Sequence, residues 1–139
     1  MPRLILILLA ILAALLAAQA ATAAHPEAYY QRAWCDAAQG AAYRLPDRTE
    51  VDCLTDTHAI EFDWGAKWAE AIGQSLHYAQ ATGKRAGIIL ILRKRIDVKR
   101  WRRLVNAINV YGLPIDAWPI WTRSLSPSGG KGQGEGAPQ

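Results

Sequence analysis

The run AGIILIL at residues 86–92 limits the fold more strongly than any other feature of the chain. Seven consecutive apolar residues are typical of a strand that is buried on both faces, because a strand with one wet face alternates between apolar and polar side chains. A helix is predicted on each side of this strand, over residues 66–82 before it and from Asp97 to about Val110 after it. Helices that alternate with a buried strand predict a sheet with helices on its faces.

The remaining elements complete an α/β pattern. A helix is predicted between Pro26 and Gly40, where the glycine ends it. Short strands separated by turn residues follow, at residues 41–45, 50–54 and 58–64. A last strand is predicted over residues 114–121, at the edge of the sheet, because Pro119 has no N–H to give to a second neighbour. The predicted fold is a mixed sheet in the order helix, strand, strand, strand, helix, strand, helix, strand.

Both ends of the chain are predicted to lie outside this domain. Arg3, an apolar run over residues 4–16 and the small residues after it have the order of a secretory signal peptide, so residues 1–24 are predicted to be cleaved on export to the periplasm or the medium, with no membrane insertion afterwards. The alternative is an uncleaved anchor, since the segment is nearly long enough to span a bilayer. Residues 124–139 are rich in Gly, Pro and Ser and are predicted to be disordered, which leaves residues 25–123 as one domain.

Cys35 and Cys53 are the only cysteines of the chain. An even number of cysteines in a small exported domain predicts a disulfide, which would tie the first helix to the second strand. A two-cysteine metal site is the weaker interpretation, because no histidine pair lies nearby at ligand spacing. His58 and His77 have no such spacing, and we expect them to be packing or surface residues.

Charge is unevenly distributed along the chain, although the formal net charge is only +4. Residues 25–83 contain nine acids and four bases, whereas residues 84–103 contain nine bases and one acid, Asp97. A run of bases is usually a solvated helix face. The alternative is a groove for a polyanion such as nucleic acid.

The acids of the second and third strands are predicted to converge. Residues 58–64 alternate like a strand that exposes its acids, so Glu61 and Asp63 share one face. Asp52 lies on the preceding strand, only a short turn away, and neighbours on antiparallel strands lie within about 5 Å of each other. Carboxylates this close repel one another, so a divalent metal ion or a basic side chain is expected among them.

The following helix places polar side chains in one line. At about 100° per residue, Gln74 and Tyr78 each differ from Lys67 by only about 20° in direction. The plain alternative is the solvent face that any amphipathic helix has. Lys67 lies four residues after Asp63, at the end of the helix nearest the acids, which favours a shared site.

These residues resemble a known family. Asp52, the EFD of residues 61–63 and the QSLHY of residues 74–78 are similar to motifs of the PD-(D/E)xK nuclease superfamily, and most closely to its Holliday-junction-resolvase and RecB-like branches. The resemblance covers about residues 26–121 and includes the predicted order of elements. It implies a restriction-endonuclease-like fold, Mg²⁺ or Mn²⁺ as cofactor and nucleic acid as partner.

The resemblance also implies roles for single residues. Asp52 and Glu61 match the metal-binding acids, and Glu27 on the first helix matches an additional acid that some members have. Asp63 stands where the family has its catalytic lysine, so Lys67 is expected to take that role from the helix.

Two further residues match the family's helix. The resemblance implies that Gln74 and Tyr78 contact the nucleic-acid backbone near the metal.

A domain of this size is also expected to form a homodimer where it binds a duplex.

The sequence thus supports an exported, Mg²⁺-dependent nuclease that acts on DNA more readily than on RNA. Two alternatives stay open. One is a catalytically inactive binding module with the same fold. The other is a disulfide-linked envelope protein without a role in nucleic-acid chemistry, whose acids pair with Arg44, Arg48 and Lys67.

Overall fold

The computed structural model describes residue 5, residues 7–11 and residues 25–122 of the 139-residue chain. Residues 7–11 are helical and exposed. The rest of the predicted signal peptide and the predicted tail at 124–139 lie outside the described residues. Within the described parts, no helix is both long enough and apolar enough to cross a membrane.

Residues 25–122 form an α/β domain with the following elements in chain order: α1 (Glu27–Ala37), β1 (Ala41–Arg44), β2 (Glu50–Leu54), β3 (His58–Trp64), a 3₁₀ turn (Gly65–Lys67), α2 (Trp68–Thr82), β4 (Arg85–Leu92), α3 (Arg95–Tyr111) and β5 (Ile115–Trp121).

The five strands form one mixed sheet in the order β1-β2-β3-β4-β5. The pairs β1–β2 and β2–β3 are antiparallel, whereas β3–β4 and β4–β5 are parallel. The predicted class, α/β with a mixed sheet, is confirmed. β5 pairs only with β4 and is therefore an edge strand, as predicted. An edge strand tolerates Pro119, because it has no second neighbour that needs an N–H donor.

Apolar side chains cover both faces of β4, as the continuous run predicts. On one face, Ile89 and Ile91 belong to a core that includes Tyr30 and Cys35 of α1. On the other face, residues 86, 88, 90 and 92 pack against α2 and α3, where Leu104 is fully buried. The helices therefore exclude water from the parallel half of the sheet on both sides.

The prediction that the third strand exposes its acids is wrong. Glu61 is 5% and Asp63 is 2% exposed, and six of the seven residues of β3 are buried. β3 has a hydrogen-bonded neighbour on each side, and helices pack against it on both faces. Alternation along β3 shows which side chains share a face of the sheet. It does not show which face is exposed to water, and here neither is.

The ends of α2 and α3 follow from their terminal residues. Gly83 and Gly112 have positive φ, which glycine adopts without steric cost, and they end the two helices. Asp97, the predicted first residue of the third helix, lies in the first turn of α3, which begins at Arg95. It accepts hydrogen bonds from the backbone N–H groups of Arg93 and Lys94 at 2.8 and 2.9 Å. Burial opposes its ionisation, but these bonds and Arg100 outweigh it and lower the pKa of Asp97.

Cys35 and Cys53 form the predicted disulfide, with an S–S distance of 2.04 Å. Both residues are buried in the core between α1 and the sheet. The bond closes a loop with a sequence separation of 18 residues and fixes α1 against β2.

Loss of the disulfide is expected to reduce the free energy of unfolding by about 3 kcal/mol, because the bond restricts the unfolded chain. Urea denaturation of the oxidised protein, with and without reductant, measures the difference. The variant in which both Cys35 and Cys53 are replaced by Ser is the control, since reductant cannot change it further. Equal denaturation midpoints for the oxidised and reduced protein would contradict the expectation.

Candidate active site

A β-bulge directs the Asp52 side chain. Ala41 pairs with Leu54, whereas Tyr43 pairs with Val51, so β2 carries one residue more than β1 over this interval. The extra residue falls at positions 52–53. A bulge bends its strand and turns a side chain away from its regular direction, and bulges are common next to active sites.

The Asp52 carboxylate takes the place of a backbone acceptor. Regular pairing of β2 with β3 is limited to Cys53 with Ile60 and Leu54 with Ala59. Beyond these pairs, the backbone N–H of Phe62 donates to Asp52 Oδ2 at 2.8 Å. Asp52 therefore lies where the two strands separate, and the opening between them admits its carboxylate.

The α1 helix supports the same residue from its other side. The side-chain amide of Gln31 donates from Nε2 to the Asp52 carbonyl oxygen at 2.8 Å. A cleft of about 440 Å³ lies between α1 and the β1–β2 hairpin, and Asp52 is one of the residues that line it.

Glu61 is the most perturbed acid of the domain. Burial raises its pKa to about 9, with further contributions from the negative charge of Asp52, from a hydrogen bond with it, and from Asp63 and Glu27. Glu61 Oε2 is the one buried side-chain oxygen or nitrogen, among the described residues, that has no hydrogen-bond partner. In the absence of a cation, Glu61 thus holds its proton at neutral pH.

The other three carboxyl groups are perturbed in the same direction. Burial raises the pKa of Asp52, although the Phe62 N–H and the bond with Glu61 oppose the shift. Burial raises the pKa of Asp63 to about 6, against the effect of the Trp64 N–H, which donates at 2.9 Å.

Glu27, in the first turn of α1, belongs to the same electrostatic group. Burial and then the charges of Asp63 and Asp52 raise its pKa to about 7, and Lys67 opposes the shift. The structure thus brings together all four acids that the sequence predicts, from α1, β2 and β3.

Lys67 supplies the one basic side chain that makes an ion pair with this group among the described residues. Its Nζ lies 3.9 Å from Asp63 Oδ1 and 3.8 Å from Glu70 Oε2, and its side chain is 58% exposed. Neither Arg44 nor Arg48 makes an ion pair with these carboxyls in residues 25–122. One shared, exposed lysine does not neutralise four acids.

Gln74 and Tyr78 complete the site on the α2 side, in different environments. Tyr78 is only 5% exposed and packs with Val51 and Ala59, whereas Gln74 is exposed. Burial raises the pKa of Tyr78, followed by the charges of Glu61 and Asp52 and a hydrogen bond with Glu61, while a bond with Gln74 lowers it. The phenol therefore stays protonated and can act as a hydrogen-bond donor.

The two histidines that the sequence places outside the site have structural partners. His58 is buried, and its Nε2 lies 2.9 Å from Asp116 Oδ2, at the opposite end of β3 from Asp63. His77 lies 2.8 Å from Asp47 on the surface. The predicted packing and surface roles are confirmed.

The donor chemistry of the site suits Mg²⁺, although its ligands are not fully assembled. In residues 25–122 no group of three or more His, Cys, Asp or Glu side chains is arranged to hold a metal ion. Carboxylate oxygens are nevertheless the ligands that Mg²⁺ prefers, and it usually takes only one or two of them from the protein. The orphaned Glu61 Oε2 beside Asp52 fits such a two-carboxylate site.

Two residues at this end of the sheet, Trp64 and Arg93, were not among the residues predicted from the sequence. Trp64 follows Asp63 directly, and the Arg93 guanidinium lies over its ring at 4.1 Å from the ring centroid. A tryptophan beside a predicted catalytic acid is visible in the sequence. Its contact with Arg93 depends on the parallel pairing of β3 with β4.

Comparison of the chain with protein-family models, with curated proteins and with solved structures found no match. Membership of the PD-(D/E)xK superfamily therefore stays a prediction.

We expect the metal-free protein to lose stability as the pH rises. Folded Glu61 keeps its proton up to a pKa of about 9, whereas the unfolded chain releases it near 4.5. Between these values the folded state binds more protons, so the free energy of unfolding falls with rising pH, by at most about 1.4 kcal/mol per pH unit for one proton. Glu27 and Asp63, with pKa values of about 7 and 6, act in the same direction.

Urea denaturation in chelator, over a pH range of about 5 to 9, measures this slope. Glu61→Gln is expected to make the slope shallower, because the amide cannot titrate, while Glu27 and Asp63 keep their share. Asp56→Asn, which changes an exposed acid on the β2–β3 turn, is the matched control and should keep the wild-type slope. A wild-type slope in Glu61→Gln would contradict the expectation.

Proposed function

We propose that this protein is an exported, Mg²⁺- or Mn²⁺-dependent nuclease with a restriction-endonuclease-like fold, and that it hydrolyses phosphodiester bonds in DNA in preference to RNA. The observation that carries the proposal is the buried pair of Asp52 and Glu61, in which one carboxylate oxygen has no partner. A buried carboxylate without a partner costs several kcal/mol unless it is protonated or binds a cation.

The architecture supports the proposal. The resemblance implies one acid on the second strand, one acid and a lysine on the third, and a helix that faces them; in this chain Asp63 replaces that lysine. The bulge at Asp52 and the burial of Glu61 and Asp63 beside α2 give a physical reason for that pattern. The disulfide supports export, since such bonds persist in oxidising compartments.

In this proposal Asp52 and Glu61 bind the divalent ion, and Glu27 contributes from α1 through its charge. The ion, when bound, shields the phosphate charge and lowers the pKa of the attacking water. Asp63 holds Lys67 at the edge of the site through their 3.9 Å contact.

Lys67 orients the attacking water and stabilises the negative charge that develops on the phosphate. The Tyr78 hydroxyl and the Gln74 amide donate hydrogen bonds to the nucleic-acid backbone. Tyr78 packs against the sheet and Gln74 lies one turn before it on α2, and these positions fix that backbone relative to the carboxylates.

A second candidate is a binding module with the same fold but without turnover. It is favoured by Asp63, which stands where the superfamily has lysine, and by Lys67, which is exposed and shared with Glu70. In this alternative nucleic acid binds to the basic segment from Lys84 to Arg103, with an affinity that falls steeply with salt.

Cleavage of plasmid and single-stranded DNA by the mature protein, in Mg²⁺, Mn²⁺ or chelator, tests the proposal. Asp52→Asn and Glu61→Gln are expected to abolish cleavage, because each removes a metal ligand. Lys67→Ala is expected to lower kcat by about 10²- to 10³-fold, since its role is in the transition state. Gln74→Ala and Tyr78→Phe are expected to have smaller effects, at most about 100-fold.

Asp56→Asn, the exposed acid away from the site, should cleave like the wild type. Cleavage that survives chelator or Asp52→Asn would contradict the proposal. Salt-sensitive binding without any cleavage would establish the binding module instead.

Metal binding has a second readout that does not depend on activity. At about 100 times its dissociation constant, Mg²⁺ or Mn²⁺ is expected to raise the free energy of unfolding by about 2.7 kcal/mol. Glu61→Gln and Asp52→Asn should show no such gain, whereas Asp56→Asn should show all of it. Thermal denaturation with and without the ion measures the effect, and equal gains in all four proteins would contradict a site at these acids.

A further inference from the structure

A small cleft lies at the carboxyl ends of β3 and β4. It has a volume of about 80 Å³, and its lining includes Trp64 at the end of β3, Gly65 in the 3₁₀ turn, and the basic residues Arg93, Lys94 and Arg100. Asp63 lies at the same end of β3 as the cleft, because Trp64 follows it directly, although the two side chains point to opposite faces of the strand.

The charge of this cleft is positive. Three basic side chains and one acid, Asp97, line it, which gives a net charge of plus two. The Asp97 carboxylate is already satisfied by two backbone N–H groups and by Arg100 NH1 at 2.6 Å. Arg100 uses one of its five N–H donors in that bond, so the other donors can serve a ligand.

Arg93 is held in place before any ligand binds. Its guanidinium stacks on the Trp64 ring, and Trp64 in turn meets the buried Tyr30 edge-on, with the ring centroids 5.8 Å apart. Stacking on an aromatic face leaves the N–H edge of a guanidinium free, and that edge matches phosphate oxygens in a bidentate geometry. A side chain fixed in this way loses little further entropy when it binds.

We propose that the cleft is a phosphate subsite, which binds a backbone phosphate next to the one that lies at the carboxylates. The proposal rests on the proposed function and specifies its substrate: a nucleic-acid strand that needs at least one phosphate beyond the scissile bond. The size of the cleft suits a single tetrahedral anion rather than a base. Trp64 links the two places, because its backbone N–H donates to Asp63 while its ring carries Arg93.

Arg93 and Lys94 line the cleft, whereas Arg102 and Arg103 on α3 do not. Arg102 and Arg103 are exposed and lie two turns further along the helix. They contribute to the general positive potential, whereas the cleft makes a defined contact. Removing two charges at either place changes the net charge equally, so the two pairs form a matched comparison.

The experiment measures the affinity of the protein for a fluorescent single-stranded DNA of about 12 nucleotides, a length within the site sizes of single-strand binders. The solution contains chelator, so that cleavage plays no part. Substitution of both Arg93 and Lys94 by Ala is expected to weaken binding at least about tenfold and to reduce the salt slope by about 0.7, the value for one phosphate on a single strand. Substitution of both Arg102 and Arg103 by Ala is expected to weaken it less than about threefold. Circular dichroism checks the fold, and Lys94→Ala alone, which leaves the Trp64 stack intact, is expected to weaken binding by about threefold or more.

Equal losses in the two double variants would overturn the proposal, because the contribution would then be general charge alone. Wild-type protein that does not bind the oligonucleotide would overturn it too. Preferential binding to anionic phosphatidylglycerol vesicles, with the same loss on removal of Arg93 and Lys94, would assign the cleft to a membrane surface instead. The nuclease proposal fails separately, on the cleavage assay, since a protein that binds through the cleft and never cleaves supports the subsite and not the enzyme.

Discussion

The burial of several carboxyl groups with only one nearby lysine is the constraint on which the rest of this structure depends. Water stabilises an ionised carboxylate far better than a protein interior does, so a buried acid must be protonated, hydrogen-bonded or paired with a cation. The backbone N–H groups of Phe62 and Trp64 satisfy Asp52 and Asp63 in part. Glu61 Oε2 receives nothing. Such a local conflict is typical of functional sites, where proteins break local rules that the rest of the fold obeys.

The remainder of the fold stabilises the strands that hold these buried acids. The parallel half of the sheet is covered by apolar residues on both faces, and two independent cores form there. The opposite end of β3 is fixed by His58 and Asp116, and Arg85 binds the same carboxylate at 2.6 Å. Arg93, Lys94 and Arg100 follow β4 and lie at the same end of the sheet as Asp63.

Much of the architecture could be predicted because short-range physics determines it. The apolar run at 86–92 identifies a doubly covered strand, the glycines at 83 and 112 end their helices, and two cysteines in a small domain form one bond. The bulge at Asp52 could not be predicted, since it depends on the register of β2 against β1. Nor could the burial of Glu61, because alternation distinguishes the faces of a strand but does not show what covers them. The position of Arg93 on Trp64 depends on the same long-range pairing of strands.

The disulfide joins α1 to the residue that directly follows Asp52. Glu27 and Gln31, which reach the site from α1, therefore depend on the same bond as the bulge does. In a reducing environment α1 is held by packing and by the Gln31 hydrogen bond, without the covalent link to β2. The oxidation state of the surroundings consequently affects how firmly α1 is held against β2. A newly made chain, before its cysteines pair, holds Glu27 and Gln31 less firmly beside Asp52 than the oxidised chain does.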